Sequence, residues 1–184
     1  MRRKHGSGML LENMIDQANR AYRSRGRAHI NNTNQPITIQ RRRGSIVTGR
    51  LEGKGAVDYW GVIRGGRAVC FDAKEVNSTN LPVRRFHGHQ LADMRQCEEM
   101  GGIAGAVVMW SHGDTRIYWV PYQILADAAA RAENGGRKSI SAAEIRECPE
   151  ILPESIACRC DWLPVVVRIE QRMQLEANQQ KLFE

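Results

Sequence analysis

The sequence predicts an α/β fold in which a mixed central sheet is flanked by helices. Runs rich in Val, Ile, Tyr, Trp and Phe flank Gly65-Gly66, which indicates a tight β-hairpin over residues 57–75. The continuous apolar run from Ile103 to Trp110 is typical of a strand buried on both faces. Residues with helical apolar spacing precede and follow these strands, which favours helices packed on the sheet.

The first third of the chain contains one predicted helix and one predicted hairpin. Residues 1–7 form a basic arm, and an amphipathic helix follows from Gly8 to about Arg23. A loop is expected from Asn31 to Pro36, and Ile37–Leu51 reads as a second hairpin that turns near Arg43-Gly44. This hairpin is basic and has little to bury, so it is a projection suited to entering DNA. The alternative is an ordinary edge hairpin shielded by charge.

The rest of the chain alternates helices and strands after an expected loop at Asn77–Pro82. In order, we expect a helix, two strands, a helix and a short helix with a capping box, at His87–Met100, Ile103–Trp110, Arg116–Val120, Pro121–Glu133 and Ser141–Glu144. Val165–Ile169 is either a last strand or the start of the tail, 170–184, which is polar and helix-prone. The whole chain, 1–184, is predicted to be a single domain.

Composition indicates a soluble globular protein of the cytoplasm. The chain is 42% hydrophobic and 26% charged, and it contains no apolar run near the roughly 20 residues that span a bilayer. We therefore expect no membrane partner. The five cysteines are scattered and odd in number, which favours reduced thiols. Cys148, Cys158 and Cys160 have poor spacing for a zinc site.

Positive charge is concentrated in the first third of the chain. Residues 1–54 carry twelve Lys or Arg against three acids, whereas the remaining residues carry fifteen against seventeen. A phosphate backbone is the expected partner of such a surface. The alternative is a solvated basic face that aids solubility. The candidate DNA-binding residues are Arg25, Arg27, Arg41, Arg42, Arg43, Arg50, Lys54, Arg137 and Lys138.

The 57–75 hairpin brings together acids and a lysine. Folding at the glycine turn places Asp58 opposite the segment Asp72-Ala73-Lys74, and alternation along the strand points Asp72 and Lys74 the same way. Paired cross-strand residues have Cβ atoms roughly 5 Å apart. Two carboxylates on one patch are costly without a cation between them, and a divalent metal is the usual solution. A surface hairpin with an Asp–Lys pair is the alternative.

Asp, a strand, then Asp-x-Lys resembles the pattern of the PD-(D/E)xK nucleases. Over most of its length the chain also resembles RecU, the Holliday junction resolvase family of Gram-positive bacteria and their phages. The resemblance is carried by motifs in a consistent order: G-M-L-L-E-x-x-I-x-x-x-N-x-x-Y at 8–22, V-D-Y-x-G at 57–61, F-D-A-K-E at 71–75, H-x-H-Q at 87–90, G-G-I at 101–103, G-G-R-K-S-I at 135–140 and D-W-L at 161–163.

The resemblance implies a restriction-endonuclease-like core with a protruding basic stalk, here residues 37–55. It implies a homodimer that nicks four-way junction DNA symmetrically during recombination and repair. Mg²⁺ is the expected cofactor, with Mn²⁺ as an alternative. A recombinase and a branch-migration helicase are the protein partners that the resemblance implies.

The resemblance also assigns roles to individual residues. Asp58, Asp72 and Gln90 match metal ligands, and Lys74 matches the group that stabilises the transition state. Glu12 matches the acid of the first helix and completes the expected catalytic set of Glu12, Asp58, Asp72 and Lys74. For Glu12 the alternative is the ordinary preference for acids at a helix start.

Two positions depart from the family pattern. The family usually has Glu at the position of Asp72, and often a hydroxyl residue at the position of Ala56. These changes predict weaker activity or a stronger dependence on Mn²⁺. His87 and His89 are interpreted as surface or capping residues and are not expected to be site residues.

Two other functions remain open at this point. One is a nuclease of the same fold, from a phage or a bacterium, that acts on other branched or duplex DNA. The other is a non-catalytic junction-binding accessory protein. The basic hairpin argues against a plain duplex cutter, and the acids argue against simple DNA binding because carboxylates repel phosphate.

Overall fold

A computed structural model describes residues 9–33, 37–51, 56–155 and 158–180, without the side chains of 37–39 and 49–51. The helices in this part of the chain are α1 (Met9–Ser24), α2 (Gly88–Glu99), α3 (Tyr122–Glu133), α4 (Ala142–Arg146) and α5 (Leu163–Gln180). The strands are β1 (Ala28–Asn32), β2 (Ile37–Arg43), β3 (Ile46–Leu51), β4 (Tyr59–Ile63), β5 (Ala68–Val76), β6 (Asn80–Pro82), β7 (Ile103–Trp110), β8 (Arg116–Pro121) and β9 (Ser139–Ser141).

The central sheet has five strands in the order β1-β4-β5-β7-β8. Strands β5 and β7 run parallel, while the other neighbouring pairs are antiparallel. Helices lie on both faces, so the predicted fold class, a mixed sheet flanked by helices, is confirmed. Every residue of β7 is buried, as its unbroken apolar sequence predicts.

Two hydrophobic cores hold the layers together. On one face, α1 and α5 pack around an aromatic cluster in which the Phe71 ring lies 5.0 Å from Tyr59 and 5.1 Å from Trp162. On the other face, α2 and α3 cover β5 and β7 through residues such as Met94 and Leu125. Since successive residues of β5 alternate between these cores, the strand presents one set of side chains to α1 and the other to α2.

The predicted Ile37–Leu51 hairpin is present as β2 and β3. It forms a two-stranded sheet of its own, separate from the central sheet, and Gly44 turns the chain with φ 61°. A register shift between Ile39 and Arg41 gives the hairpin a β-bulge. The hairpin therefore contributes little to the core, as expected for a projection.

Two sequence expectations, both of loops, are wrong. The expected loops contain strands, because Asn31 and Asn32 belong to β1 and Asn80–Pro82 pairs with β9. Of the two interpretations of Val165–Ile169, the strand is wrong: the run lies in α5, which continues into the helix-prone tail as far as Gln180. An apolar run suits either a strand or a buried helix, and here packing of Val165 and Val166 in the α1-side core selects the helix. The arm at 1–7 lies outside the described residues.

None of the described helices is long and apolar enough to cross a lipid bilayer.

Candidate active site

Strands β4 and β5 place the two predicted acids side by side. Tyr59 pairs with Phe71, so Asp58 and Asp72 come next along the antiparallel ladder. The Asp58 backbone N–H donates to Asp72 Oδ1 at 3.3 Å, and the Ala73 N–H donates to Asp58 Oδ2 at 2.9 Å. Each carboxylate thus accepts from the backbone of the neighbouring strand, which holds the acids together at the end of the β4–β5 pair.

Lys74 joins the two acids electrostatically. Its ammonium group donates a hydrogen bond to Asp72 and lies 3.9 Å from Asp58 Oδ2. The Lys74 side chain is 13% exposed, so water screens this charge only partly. The same ammonium lies 5.6 Å from the centre of the Phe86 ring, within the range of a cation–π contact. The convergence of Asp58, Asp72 and Lys74 predicted from the hairpin is therefore present.

Burial makes Asp72 the most perturbed acid of this cluster. Its side chain is fully buried, and this burial raises the pKa of its carboxyl group to about 7. The Lys74 ammonium opposes the increase, while the negative charge of Asp58 adds to it. A positive ion beside these acids would offset the cost of burying the Asp72 charge and would reduce the repulsion between Asp72 and Asp58.

Gln90 reaches the cluster from the first turn of α2. Its Nε2 donates to Asp72 Oδ1 at 2.9 Å, while its Oε1 accepts from the His87 N–H at 3.0 Å. The second bond is half of the capping box that begins α2. Gln90 therefore supports Asp72 in this arrangement, and its amide oxygen faces the helix cap.

Glu12 lies on α1, on the other side of the sheet. Burial raises the pKa of its carboxyl group, and the negative charges of Asp58, Asp16 and Glu75 raise it further. Glu12 thus stands within electrostatic range of the cluster, as the resemblance implied. The Glu12 backbone carbonyl accepts a hydrogen bond from the Tyr59 hydroxyl. The N–H of the preceding residue, Leu11, donates to the Glu75 carboxylate.

The donor set fits a hard divalent cation held by two acids. Carboxylate and amide oxygens are the ligands that Mg²⁺ accepts, usually together with several waters. Among residues 9–33, 37–51, 56–155 and 158–180, no group of three or more His, Cys, Asp or Glu could hold a metal. Asp58 and Asp72 could contribute two carboxylate ligands, and water would have to supply the remaining positions. Gln90 would have to turn its amide oxygen away from the helix cap to join them.

The predicted DNA-binding residues lie in different settings. Arg41, Arg42 and Arg43 are exposed on the hairpin. Arg25 pairs with Glu154 at 3.0 Å, Arg137 pairs with Glu144, and the Arg27 guanidinium lies 5.7 Å from the Tyr22 ring centre. Lys138 is exposed. The Arg50 side chain and Lys54 lie outside the described parts of the chain.

Sequence reasoning missed three residues: Phe86, which contacts Lys74, and Tyr59 and Glu75, which contact the first turn of α1. Tyr59 directly follows Asp58 and Glu75 directly follows Lys74, so strand alternation could have placed them on the opposite face from the acids. The Phe86 contact depends on the path of the chain between β6 and α2, for which the sequence contains no local signal.

This chain has a mixed α/β sheet in which two acids and a lysine meet at neighbouring strands, which is the arrangement of the PD-(D/E)xK pattern. Residues 6–168 match the family model described as RecU, Recombination protein U. The chain belongs to this family.

Curated relatives agree with this assignment. The chain is similar to proteins named Holliday junction resolvase RecU: 33% identical in Bacillus pumilus, covering 86% of this chain and 79% of the relative, and 34% identical in Geobacillus kaustophilus, covering 86% and 82%. A third, from Pediococcus pentosaceus, is 36% identical over 72% of this chain and 69% of the relative. Among solved structures, Hjc, a Holliday junction resolvase of Archaeoglobus fulgidus, matches with a TM-score of 0.47 and 12% identity over 78% of this chain and 96% of that one.

Proposed function

We propose that this protein is a structure-selective endonuclease that resolves four-way DNA junctions in recombination and repair by nicking two strands symmetrically. Asp58, Asp72 and Lys74 carry this proposal, because they converge on adjacent strands as a phosphodiester-cleaving site requires. Membership of the Recombination protein U family supports the choice of a junction as substrate, since curated relatives bear the name Holliday junction resolvase.

In this proposal, the two acids hold a cation and Lys74 stabilises the negative charge that develops on the phosphate. Asp58 and Asp72 would hold Mg²⁺, or Mn²⁺, whose chemistry at such a site is to neutralise the scissile phosphate and make a bound water more acidic. Lys74 is placed to donate to the phosphate oxygens as negative charge develops on them. Gln90 orients Asp72 through the bond from its Nε2, and Glu12 adds negative charge beside Asp58.

The basic hairpin is the proposed junction probe. Arg41, Arg42 and Arg43 project from a small sheet that packs little against the core, so they are free to meet phosphates. Arg50 and Lys54 are expected to add to this surface. A separate projection suits the open centre of a junction better than the side of a continuous duplex.

A two-fold dimer is part of the proposal, because resolution requires one cut on each of two strands. Strand β1 is an outer strand of the central sheet, and the neighbouring face of β4 exposes Trp60 at 40% and Val62 at 45%. Trp60 and Met100 also line a hollow of about 560 Å³. We propose that a second copy of the chain covers this face, where Thr33 and Ala56 also line the hollow. The recombinase, the branch-migration helicase and the cytoplasmic location stay predictions.

Lys74→Ala tests the proposed function. The wild type in Mg²⁺ should nick synthetic four-way junctions in pairs and leave linear duplex largely intact, whereas Lys74→Ala should bind junctions but cut them at least about a hundredfold more slowly. Arg95→Ala is the matched control, since it removes an exposed cation from α2 outside the cluster and should cut normally. Cleavage is measured on denaturing gels and binding by mobility shift.

Other outcomes would favour the rival functions. Equal cutting of junction and duplex would indicate a nuclease with another substrate. Junction binding without cutting by either the wild type or Lys74→Ala, in Mg²⁺ and in Mn²⁺, would indicate an accessory protein.

A further inference from the structure

The first turn of α1 is tied to both strands that carry the cluster. The Leu11 backbone N–H donates to Glu75 Oε1 at 2.9 Å. The Tyr59 hydroxyl lies 3.1 Å from Asp16 Oδ1 and 3.3 Å from the Glu12 carbonyl oxygen, so it contacts α1 through these two acceptors. Tyr59 directly follows Asp58, and Glu75 directly follows Lys74. Glu75 and Tyr59 therefore contact the backbone on either side of the Leu11–Glu12 peptide, from the ends of β4 and β5 that hold the site.

Strand alternation explains how one strand serves both faces. Asp72 and Lys74 point towards α2, where they meet Gln90 and Phe86. Glu75, the next residue, points to the opposite face and reaches α1. A displacement of β5 relative to α1 would change the distance between Lys74 and Glu12. The hydrogen bond between Glu75 and the Leu11 N–H opposes such a displacement.

The contact satisfies a specific need of the helix. The first N–H groups of an α-helix have no partner within the helix, and a carboxylate near them is favoured by the helix dipole. A carboxylate is nevertheless costly at this place, because Glu12, Asp16 and Asp58 already bring negative charge close together. The Leu11 N–H needs only an oxygen acceptor, so an amide would serve the same geometric purpose.

We propose that Glu75 is a positioning residue that, together with Tyr59, fixes the first turn of α1 against β4 and β5 and so keeps Glu12 close to the site. Glu75 acts through Glu12 and does not touch the substrate. The part of this role that concerns cleavage rests on the proposed nuclease function.

A double-mutant comparison tests whether Glu75 acts through Glu12. Glu75→Ala should slow junction cleavage by about tenfold, as expected when a site residue is misplaced, and Glu75→Gln should retain most of the activity because its amide oxygen still accepts from Leu11. In a Glu12→Ala background, Glu75→Ala should cause no further loss. Glu176→Ala, an exposed acid of α5, is the control for loss of a negative charge.

Hydrogen exchange provides a readout that does not depend on cleavage. Exchange of the Leu11 amide should accelerate in Glu75→Ala but stay near the wild-type rate in Glu75→Gln, while amides of β7 keep their protection in both. Tyr59→Phe, which keeps the ring and removes the hydroxyl, is a second variant that should loosen the same turn.

Three results would overturn the inference: unchanged Leu11 exchange in Glu75→Ala, an equal loss of cleavage in Glu75→Ala and Glu75→Gln, or the same fold-loss with and without Glu12. A wild-type protein that cuts no junction would remove the nuclease proposal, and the exchange measurement would still decide whether Glu75 holds α1.

Discussion

Asp72 is the residue whose ionisation most strongly links the site to pH. Its pKa is about 7 in the folded chain, above its ordinary value of 3.8, because burial disfavours the charged form. The folded state therefore binds more protons than the unfolded state between these values. The contribution of Asp72 to stability is fully present below about pH 4 and is lost as the pH rises through about 7.

A divalent cation should reverse this loss, and the reversal should depend on pH. We expect Mg²⁺ to raise the melting temperature more at pH 8 than at pH 6, because the ion binds the deprotonated Asp72 carboxylate. Thermal unfolding with and without Mg²⁺ at both pH values measures the effect.

Asp72→Asn should remove the pH-dependent part of this cation effect, and Asp127→Asn, an exposed acid of α3, should leave it intact. An equal Mg²⁺ shift at pH 6 and pH 8 in the wild type would contradict the assignment of Asp72 as a ligand.

At the scale of elements, the β2–β3 hairpin and the central sheet are separate in structure and should be separable by mutation. The hairpin forms its own sheet, and its three consecutive arginines are exposed, so their removal leaves the two cores untouched. Helices α1 and α2, in contrast, are bonded to the site through Glu75 and Gln90, so changes there alter the cluster itself.

Replacing Arg41, Arg42 and Arg43 by alanine should weaken junction binding while the melting temperature stays within about 2 °C of the wild type. The slope of log affinity against log salt is negative, and each lost phosphate contact should reduce its magnitude by about 0.9. Binding titrations at several salt concentrations measure this slope.

The matched control removes three exposed arginines from the helices, Arg95, Arg168 and Arg172. It changes the net charge equally and should reduce the salt slope much less. A similar reduction by both triple variants would mean that general charge, and not the hairpin, attracts the DNA.

At the scale of the whole molecule, symmetric cutting depends on how two copies would meet. The β4 face with Trp60 and Val62 offers an apolar surface next to an outer strand, which a second copy would cover about a two-fold axis. Exposed apolar side chains that cluster on one face are more informative than scattered ones.

If two copies meet as proposed, Trp60→Glu should yield a monomer where the wild type is a dimer, because it places a charge in the proposed interface. Analytical ultracentrifugation measures the mass, and nicked-circle assays show whether paired cuts become independent. Leu175→Glu alters another exposed apolar residue, on α5, and should leave the assembly unchanged. A Trp60→Glu protein that remains dimeric would place the interface elsewhere.

Features that depend on neighbours along the chain could be predicted from the amino-acid sequence. The glycine turn brings Asp58 to Asp72, and strand alternation puts Lys74 on the same face as Asp72, so the centre of the site was predictable. The basic hairpin and the capping box at Ser141 were predictable for the same reason.

Contacts between residues far apart in the sequence depend instead on how the helices and strands pack. Packing against the aromatic cluster made the Val165–Ile169 run a helix, and the pairing of β1 with β4 turned a polar segment into a strand. The bonds from Glu75 to Leu11 and from Gln90 to Asp72 span 64 and 18 residues. Local sequence patterns carry no information about such partners. The partners come together only when the helices pack on the sheet, where buried polar groups need hydrogen-bond partners.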